Sequence, residues 1–95
     1  MKEIIELITE KFEEVFDKAG YDKKYAKISV SNRPDLCEFQ CNGAMAAAKQ
    51  YKKAPIMIAN DIVAAIGECE MFEEVTAVAP GFININLSGR FVSDY

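Results

Sequence analysis

One stretch near the end of the chain constrains the fold most strongly, because it joins a tight turn to a strict alternation of residue types. The turn is Pro80-Gly81, and the residues after it read as a strand. The apolar residues of this strand would share one face: Ile83, Ile85 and Leu87. The other face would carry an aromatic ring and two amides: Phe82, Asn84 and Asn86. The first set predicts a core on one side. The second is unusual, because asparagine is depleted in strands and an exposed phenylalanine gains nothing from water.

The composition is that of a single soluble domain. The chain has 95 residues, of which 51% are hydrophobic and 27% charged, so it can bury one modest core. No apolar run approaches the roughly 20 residues that a spanning helix needs, so no membrane partner is expected. The first residues carry acidic side chains every few positions, unlike a signal or transit peptide, and a cytoplasmic location is expected.

Cysteine and histidine usage argues against a metal centre or a nucleophilic active site. The three cysteines are Cys37, Cys41 and Cys69, and the chain has no histidine. The first two form a C-x3-C spacing, but no second pair completes a zinc shell. Both fall at inward-facing positions of a short alternating segment, which favours buried reduced thiols. Without histidine the usual general base is missing, so no catalytic residue and no metal ligand is predicted.

The charge is distributed unevenly along the chain. The formal net charge is −4, which by itself disfavours nucleic acid as a partner. Residues 21–55, however, carry seven basic against three acidic side chains, while residues 56–95 carry one arginine against six acids. This asymmetry permits local contact with phosphates. It also predicts weak binding by the chain alone, because phosphate neutralisation supplies most non-specific affinity.

The spacing of apolar residues predicts seven elements in the order α-β-β-α-α-β-β. The predicted helices cover about 2–19, 44–53 and 55–66, and the predicted strands about 25–31, 36–41, 73–79 and 82–88. Gly20 suits a left-handed helix cap, Asn42 an N-cap, and Pro55 the first turn of the third helix, which should end at Gly67. The order indicates an α+β fold of two layers, a four-stranded antiparallel sheet with helices on one face.

A sheet covered on one side leaves its other face free, and Phe82 and Asn84 would be displayed there. Phe82 could stack on an unpaired base, and the Asn84 amide could meet the N6 and N7 edge of an adenine. The residues leave an alternative open, in which Phe82 packs under a loop and Asn84 satisfies a turn.

Two further groups of residues could contact phosphates. Lys49, Lys52 and Lys53 cluster near the end of the predicted second helix, although a basic helix C-terminus is also favourable to the helix dipole without any ligand. Asn42-Gly43 would offer backbone N–H groups to an anion at a helix start. Because no glycine-rich loop accompanies this pair, an ordinary helix cap explains its presence equally well.

Three segments of the chain together resemble a known family. They are 35–49 (DLCEFQCNGAMAAAK), Ile58-Ala59 and 79–84 (APGFIN). At this separation they resemble the N-terminal additional domain of arginyl-tRNA synthetases, over about residues 1–88. The resemblance implies an α+β module placed before a class I catalytic domain and contacting the elbow of tRNA(Arg).

The resemblance also implies roles for particular residues. In that family an aromatic residue and an amide two positions later hold a D-loop base, usually adenine, and Phe82 and Asn84 occupy these positions here. A third family position, three residues before the aromatic, is an amide in some members but is Ala79 in this chain. Asn86 matches no family motif and is only a neighbour on the same face.

The HIGH-type and KMSKS-type signatures of class I synthetases are absent from these residues. The expectation is therefore that the chain is a fragment without enzymatic activity and without a cofactor. Residues 1–88 would form the tRNA-recognition domain and residues 89–95 the start of a linker. ATP and arginine would bind the catalytic domain, which with the tRNA(Arg) D-loop is an expected partner. The acidic net charge leaves a second function open, a protein-interaction or docking domain without RNA contact.

Overall fold

The computed structural model describes residues 3–31, 38–67 and 69–89. The helices among them are α1 (Ile4–Lys18), α2 (Gly43–Tyr51) and α3 (Pro55–Ile66). The strands are β1 (Ile28–Val30), β2 (Phe39–Cys41), β3 (Phe72–Val78) and β4 (Phe82–Leu87). A single turn of 3-10 helix, Lys23–Tyr25, precedes β1. The predicted α+β class and element order are confirmed.

The four strands form one antiparallel sheet in the order β1-β2-β4-β3. Strands that follow one another in the chain form two antiparallel hairpins, β1 with β2 and β3 with β4. The two hairpins join where β2 pairs with β4, with Gln40 opposite Asn84. Because directly opposite residues share a face, this pairing decides which side chains of the two hairpins meet.

The helices pack against one face of the sheet and bury a single core. The largest fully buried side chains come from both layers: Phe12, Phe16, Ile8, Ile58, Ile62, Ile83, Ile85 and Cys41. Residues of β4 alternate strictly between half-buried and buried, as predicted. The rings of Phe12 and Phe72 meet edge to face, with centroids 5.7 Å apart, and so join α1 to β3. Within residues 3–31, 38–67 and 69–89, the helices therefore cover the sheet on one side only.

Proline and glycine set the bounds of α3 as predicted. Pro55 stands at the first helical position, where its missing N–H is not needed. Gly67 ends the helix with a φ of 59°, and Gly20 follows α1 with a φ of 91°. Both angles lie in the region that glycine adopts without a Cβ penalty.

The predicted bounds of α2 were wrong at both ends. The helix starts one residue earlier, at Gly43, and ends at Tyr51, so Lys52 and Lys53 lie beyond it. Lys52 has a φ of 53° and closes the helix in the left-handed conformation. Asn42 does occupy the N-cap position, but its side chain makes no capping hydrogen bond.

The predicted first strand, 25–31, was too long. Only Ile28–Val30 pair as β1, because the preceding residues are held in the 3-10 turn. The Asp22 Oδ1 caps this turn by accepting a hydrogen bond from the Lys24 N–H at 2.9 Å. Val30 is 69% exposed at the edge of the sheet.

Gly43 explains why a helix can start directly after β2. A Cβ at this position would lie 1.5 Å from the carbonyl oxygen of Tyr25, so only glycine allows this approach of the two backbones. The start of α2 therefore packs against the protein's own backbone. This supports the ordinary structural interpretation of Asn42-Gly43 over an anion site.

The prediction of a buried reduced thiol is confirmed for Cys41. Cys41 is free and buried, and burial raises the pKa of its thiol to about 11. Cys69 is also free but only half-buried. Cys37 lies outside the described residues.

Candidate nucleic-acid interface

The uncovered side of the sheet, called the open face below, combines polar and aromatic side chains from all four strands. Its members are Ser29, Gln40, Glu74, Thr76, Val78, Phe82, Asn84 and Asn86. The strand pairing places them in rows that cross the sheet. The central row runs from Ser29 through Gln40 and Asn84 to Thr76, and Phe82 lies opposite Val78 in the next row. Phe82 and Asn84 therefore lie side by side on a surface that none of the helices α1, α2 and α3 covers.

Asn84 is held by a neighbour that the sequence did not reveal as a site residue. The Gln40 Nε2 donates a hydrogen bond to the Asn84 Oδ1 at 3.0 Å. The alternation of β2 did place Gln40 on the outer face. Its meeting with Asn84 depends on the register between β2 and β4, which no local pattern shows. Asn84 thus lies within the ladder and does not satisfy a turn.

Asn86 has a structural partner of its own. Its Oδ1 accepts a hydrogen bond from the Glu38 N–H at 2.9 Å, and the Glu38 Oε1 accepts one from the Leu87 N–H at 2.8 Å. These two bonds tie the start of β2 to the end of β4. Asn86 therefore has a structural role at this end of the sheet.

The turn before Phe82 is anchored on the helical layer. A Cβ on Gly81 would lie 2.4 Å from the Cβ of Pro55 and 3.1 Å from the Met45 sulfur. Only glycine allows the turn to approach α2 and α3 so closely. This contact holds the start of β4 against the helices. It therefore determines the position of Phe82, the next residue, on the open face.

The three predicted lysines lie on the other layer, at the C-terminal end of α2. They are all exposed. Lys49 belongs to the last turn of the helix, whose length of nine residues separates its end from its start by about 13 Å. Because α2 covers the side of the sheet opposite to Phe82, the structure does not bring the lysines together with Phe82 and Asn84.

Lys53 is engaged by side chains of the helical layer. Its Nζ donates to the Tyr21 hydroxyl at 2.9 Å and lies 3.8 Å from the Asp61 Oδ2. The hydrogen bond with Tyr21 raises the pKa of Lys53. Burial, and next the hydrogen bond to Asp61, raise the pKa of Tyr21, which donates to that carboxylate at 2.6 Å. Lys53 is thus the least available of the three lysines.

Tyrosine side chains pack near Lys53, at the C-terminal end of α2. The rings of Tyr21 and Tyr51 meet edge to face at 4.9 Å. The Tyr51 hydroxyl accepts a hydrogen bond from the Asp22 N–H at 2.8 Å, and the Tyr25 hydroxyl donates to the Gln50 Oε1. These contacts explain the short β1, since Tyr25 is used to fasten the 3-10 turn to α2 instead of extending the strand.

Within residues 3–31, 38–67 and 69–89, no group of three or more His, Cys, Asp or Glu side chains is placed to hold a metal ion. No helix in this part of the chain is long and apolar enough to cross a membrane.

A family model described as the arginyl tRNA synthetase N terminal domain matches residues 2–87. The chain belongs to this family. Among curated relatives, the arginine–tRNA ligases of Alkaliphilus oremlandii and Agathobacter rectalis are each 56% identical over the whole chain. The arginine–tRNA ligase of Francisella tularensis subsp. novicida is 44% identical over 92% of it. The chain spans only 16% of the length of the first two relatives and 15% of the third.

Solved arginyl-tRNA synthetases contain the same fold. The Plasmodium falciparum enzyme matches with a TM-score of 0.82 and 23% identity, over 99% of this chain and 18% of that one. The Thermus thermophilus enzyme matches with a TM-score of 0.75 and 19% identity, over 90% of this chain and 14% of that one. The arrangement of helices and sheet found here is thus shared with these solved arginyl-tRNA synthetases.

Proposed function

We propose that this chain is the tRNA-recognition domain of an arginyl-tRNA synthetase. In this proposal Phe82 stacks on an unpaired D-loop base of tRNA(Arg), and the Asn84 amide hydrogen-bonds to the edge of that base. The observation that carries it is the placement of both side chains on the open face, separated along β4 by the buried Ile83. Residues two apart in a strand are about 6.6 Å apart, so one stacked base can reach both.

The energetics support a contact that helps recognition but does not hold RNA alone. Stacking on an aromatic ring contributes about 1–3 kcal/mol per base, and a good two-bond base contact discriminates by about 1–3 kcal/mol. Association costs about 4–15 kcal/mol in lost freedom. The isolated chain should therefore bind tRNA weakly, and productive affinity would come from the larger protein.

Charge on the open face indicates how the RNA would approach. Glu74 lies opposite Asn86 on β3, and Glu38 bonds to Asn86 from β2, so the Asn86 end is acidic. The Phe82 end carries Val78 instead. Phosphates would avoid the carboxylates, so we place the RNA backbone at the Phe82 end.

The remaining parts of the proposal concern the larger protein. ATP-dependent attachment of arginine to tRNA(Arg) would take place on a class I catalytic domain, which would bind ATP and arginine and would be a partner of this domain. Translation places such a protein in the cytoplasm. Lys49 and Lys52 would add sequence-independent contacts to phosphates, and Lys53 would do so only after leaving Tyr21.

NMR titration of the ¹⁵N-labelled chain with a tRNA(Arg) transcript tests the proposal. We expect shifts centred on Phe82 and Asn84, and their loss in the variants Phe82→Ala and Asn84→Ala. Met57→Ala and Asn60→Ala are matched controls, because both residues are exposed on α3. Shifts confined to the helical layer, unaffected by the first two variants, would contradict the proposal and favour the docking function.

A further inference from the structure

The hydrogen bond between Gln40 and Asn84 has a direction. Gln40 Nε2 is the donor and Asn84 Oδ1 the acceptor, at 3.0 Å, between two residues that lie directly opposite each other on β2 and β4. Both side chains are half-buried, so the bond is partly shielded from water. The Asn84 oxygen consequently faces β2.

This direction fixes the order of donor and acceptor that Asn84 presents to solvent. An amide oxygen has two lone pairs and the amide nitrogen two N–H groups, so one bond to Gln40 leaves both atoms able to bind a ligand. With the oxygen on the β2 side, the nitrogen lies on the β3 side, because the two atoms diverge to opposite sides of the Cβ–Cγ bond. A ligand that binds Asn84 therefore meets the amide oxygen, an acceptor, on the β2 side. It meets the amide N–H group, a donor, on the β3 side.

We propose that Gln40 is a positioning residue that sets the base preference of Asn84. The ordered amide selects a base edge with a donor towards β2 and an acceptor towards β3, such as the adjacent N6 and N7 positions of adenine. Guanine offers two acceptors on the same edge and leaves the Asn84 oxygen without a donor. The inference rests on the proposed function, since it needs a base stacked on Phe82.

A substitution that reverses the bond tests this role. In Gln40→Glu the carboxylate can only accept, so it draws the Asn84 nitrogen towards β2 and turns the oxygen towards β3. Gln40→Leu removes the donor and leaves the Asn84 amide free to take either orientation. Gln50→Glu is the matched control, because it adds the same charge on α2 and can still accept the hydrogen bond from Tyr25.

The measured quantity is the ratio of Kd values for two tRNA(Arg) transcripts, one with guanine and one with adenine at the contacted D-loop position. The negative charge that Gln40→Glu adds repels the phosphates of both transcripts alike, and this part of its effect cancels in the ratio. We expect the ratio to fall about tenfold in Gln40→Glu, which corresponds to the discrimination supplied by one good base contact. The ratio should fall less in Gln40→Leu and stay unchanged in Gln50→Glu.

The orientation of Asn84 can be followed without RNA. Turning the amide should shift its side-chain NH₂ resonances in Gln40→Glu but not in Gln50→Glu, while the thermal unfolding midpoint shows that the variants remain folded. Gln40→Leu keeps the test available if Gln40→Glu does not fold.

Two results would separate failure of this inference from failure of the proposed function. If the wild-type chain prefers adenine and both Gln40 variants keep its full preference, Gln40 does not position Asn84 and the inference is wrong. If the wild-type chain itself does not distinguish the two transcripts, the proposed base contact fails, and the positioning role fails with it.

Discussion

The two faces of β4 have the same backbone and opposite surroundings. Ile83 and Ile85 are fully buried beneath the helices, whereas Phe82 and Asn84 alternate with them on the open face. The covered side chains are fixed by packing against the helical layer. On the open face, Asn84 is oriented by the hydrogen bond from Gln40. The larger contribution to stability should therefore come from the covered face, and recognition should depend on the open face.

The largest effect is expected on the covered face. Ile85→Ala should lower the free energy of unfolding by about 2–5 kcal/mol, because it leaves a cavity between the sheet and the helices. Thr76→Ala, on the open face of the neighbouring strand, should change it by less than about 0.5 kcal/mol. Urea unfolding of both variants measures the difference, and a decrease of similar size in both would break the distinction between the faces.

The next effect is a pH dependence that arises from a buried thiol of the covered face. The pKa of Cys41 is raised from about 9 to about 11 by burial, so between these values the unfolded chain has lost a proton that the folded chain still binds. Below pH 9 the buried neutral thiol makes its full contribution to the free energy of unfolding. This contribution should decline by about 2–3 kcal/mol as the pH rises to 11.

Urea unfolding across this pH range measures the decline attributable to Cys41. Cys41→Ala should flatten the pH profile relative to the wild type, whereas Cys69→Ser should leave it unchanged. A Cys41→Ala profile as steep as that of the wild type would show that this thiol does not titrate as its burial implies.

A third prediction distinguishes the role of Asn86 in stability from the role of Asn84 in base recognition. Asn86→Ala should lower the free energy of unfolding by about 1 kcal/mol, because it leaves the Glu38 N–H without its side-chain acceptor. It should not alter the preference for one D-loop base over another. Equilibrium unfolding measures the loss of stability, and tRNA titration measures the base preference. An altered base preference would show that Asn86 belongs to the recognition site.

The smallest effect is expected for the lysines of the helical layer. The double variant Lys49→Ala/Lys52→Ala should weaken tRNA binding uniformly. The slope of log K against log salt should fall by about one for each phosphate that is no longer neutralised. Lys11→Ala/Lys18→Ala, on α1, is the charge-matched control. A change in base preference in the first variant would contradict the assignment of recognition to the open face.

The alternation of β4 made much of this arrangement predictable from the sequence. Ile83, Ile85 and Leu87 each require burial, so their spacing alone indicated a sheet with one covered face. Pro55 and Gly67 marked the limits of α3 through backbone constraints that act within a few residues. These features are local, and local patterns were sufficient to find them.

The features that the sequence did not show depend on contacts between distant segments. Gln40 meets Asn84 only because β2 pairs with β4 in one register, across 44 positions of the chain. Tyr25 fits a strand by propensity, yet its hydroxyl bonds to Gln50 and its residue belongs to the 3-10 turn. In the sequence Gly43 indicates only the start of a helix. In the structure glycine is required there because the Tyr25 carbonyl lies against it.

A thermodynamic cycle between Asn84 and the D-loop base tests the central claim most directly. It compares the wild-type chain and Asn84→Ala, each titrated with the adenine and the guanine transcript of tRNA(Arg). We predict that the wild type prefers adenine by about tenfold and that Asn84→Ala reduces the preference to less than about twofold. Equal weakening of both complexes by Asn84→Ala, with the preference intact, would contradict the claim that the open face reads the base.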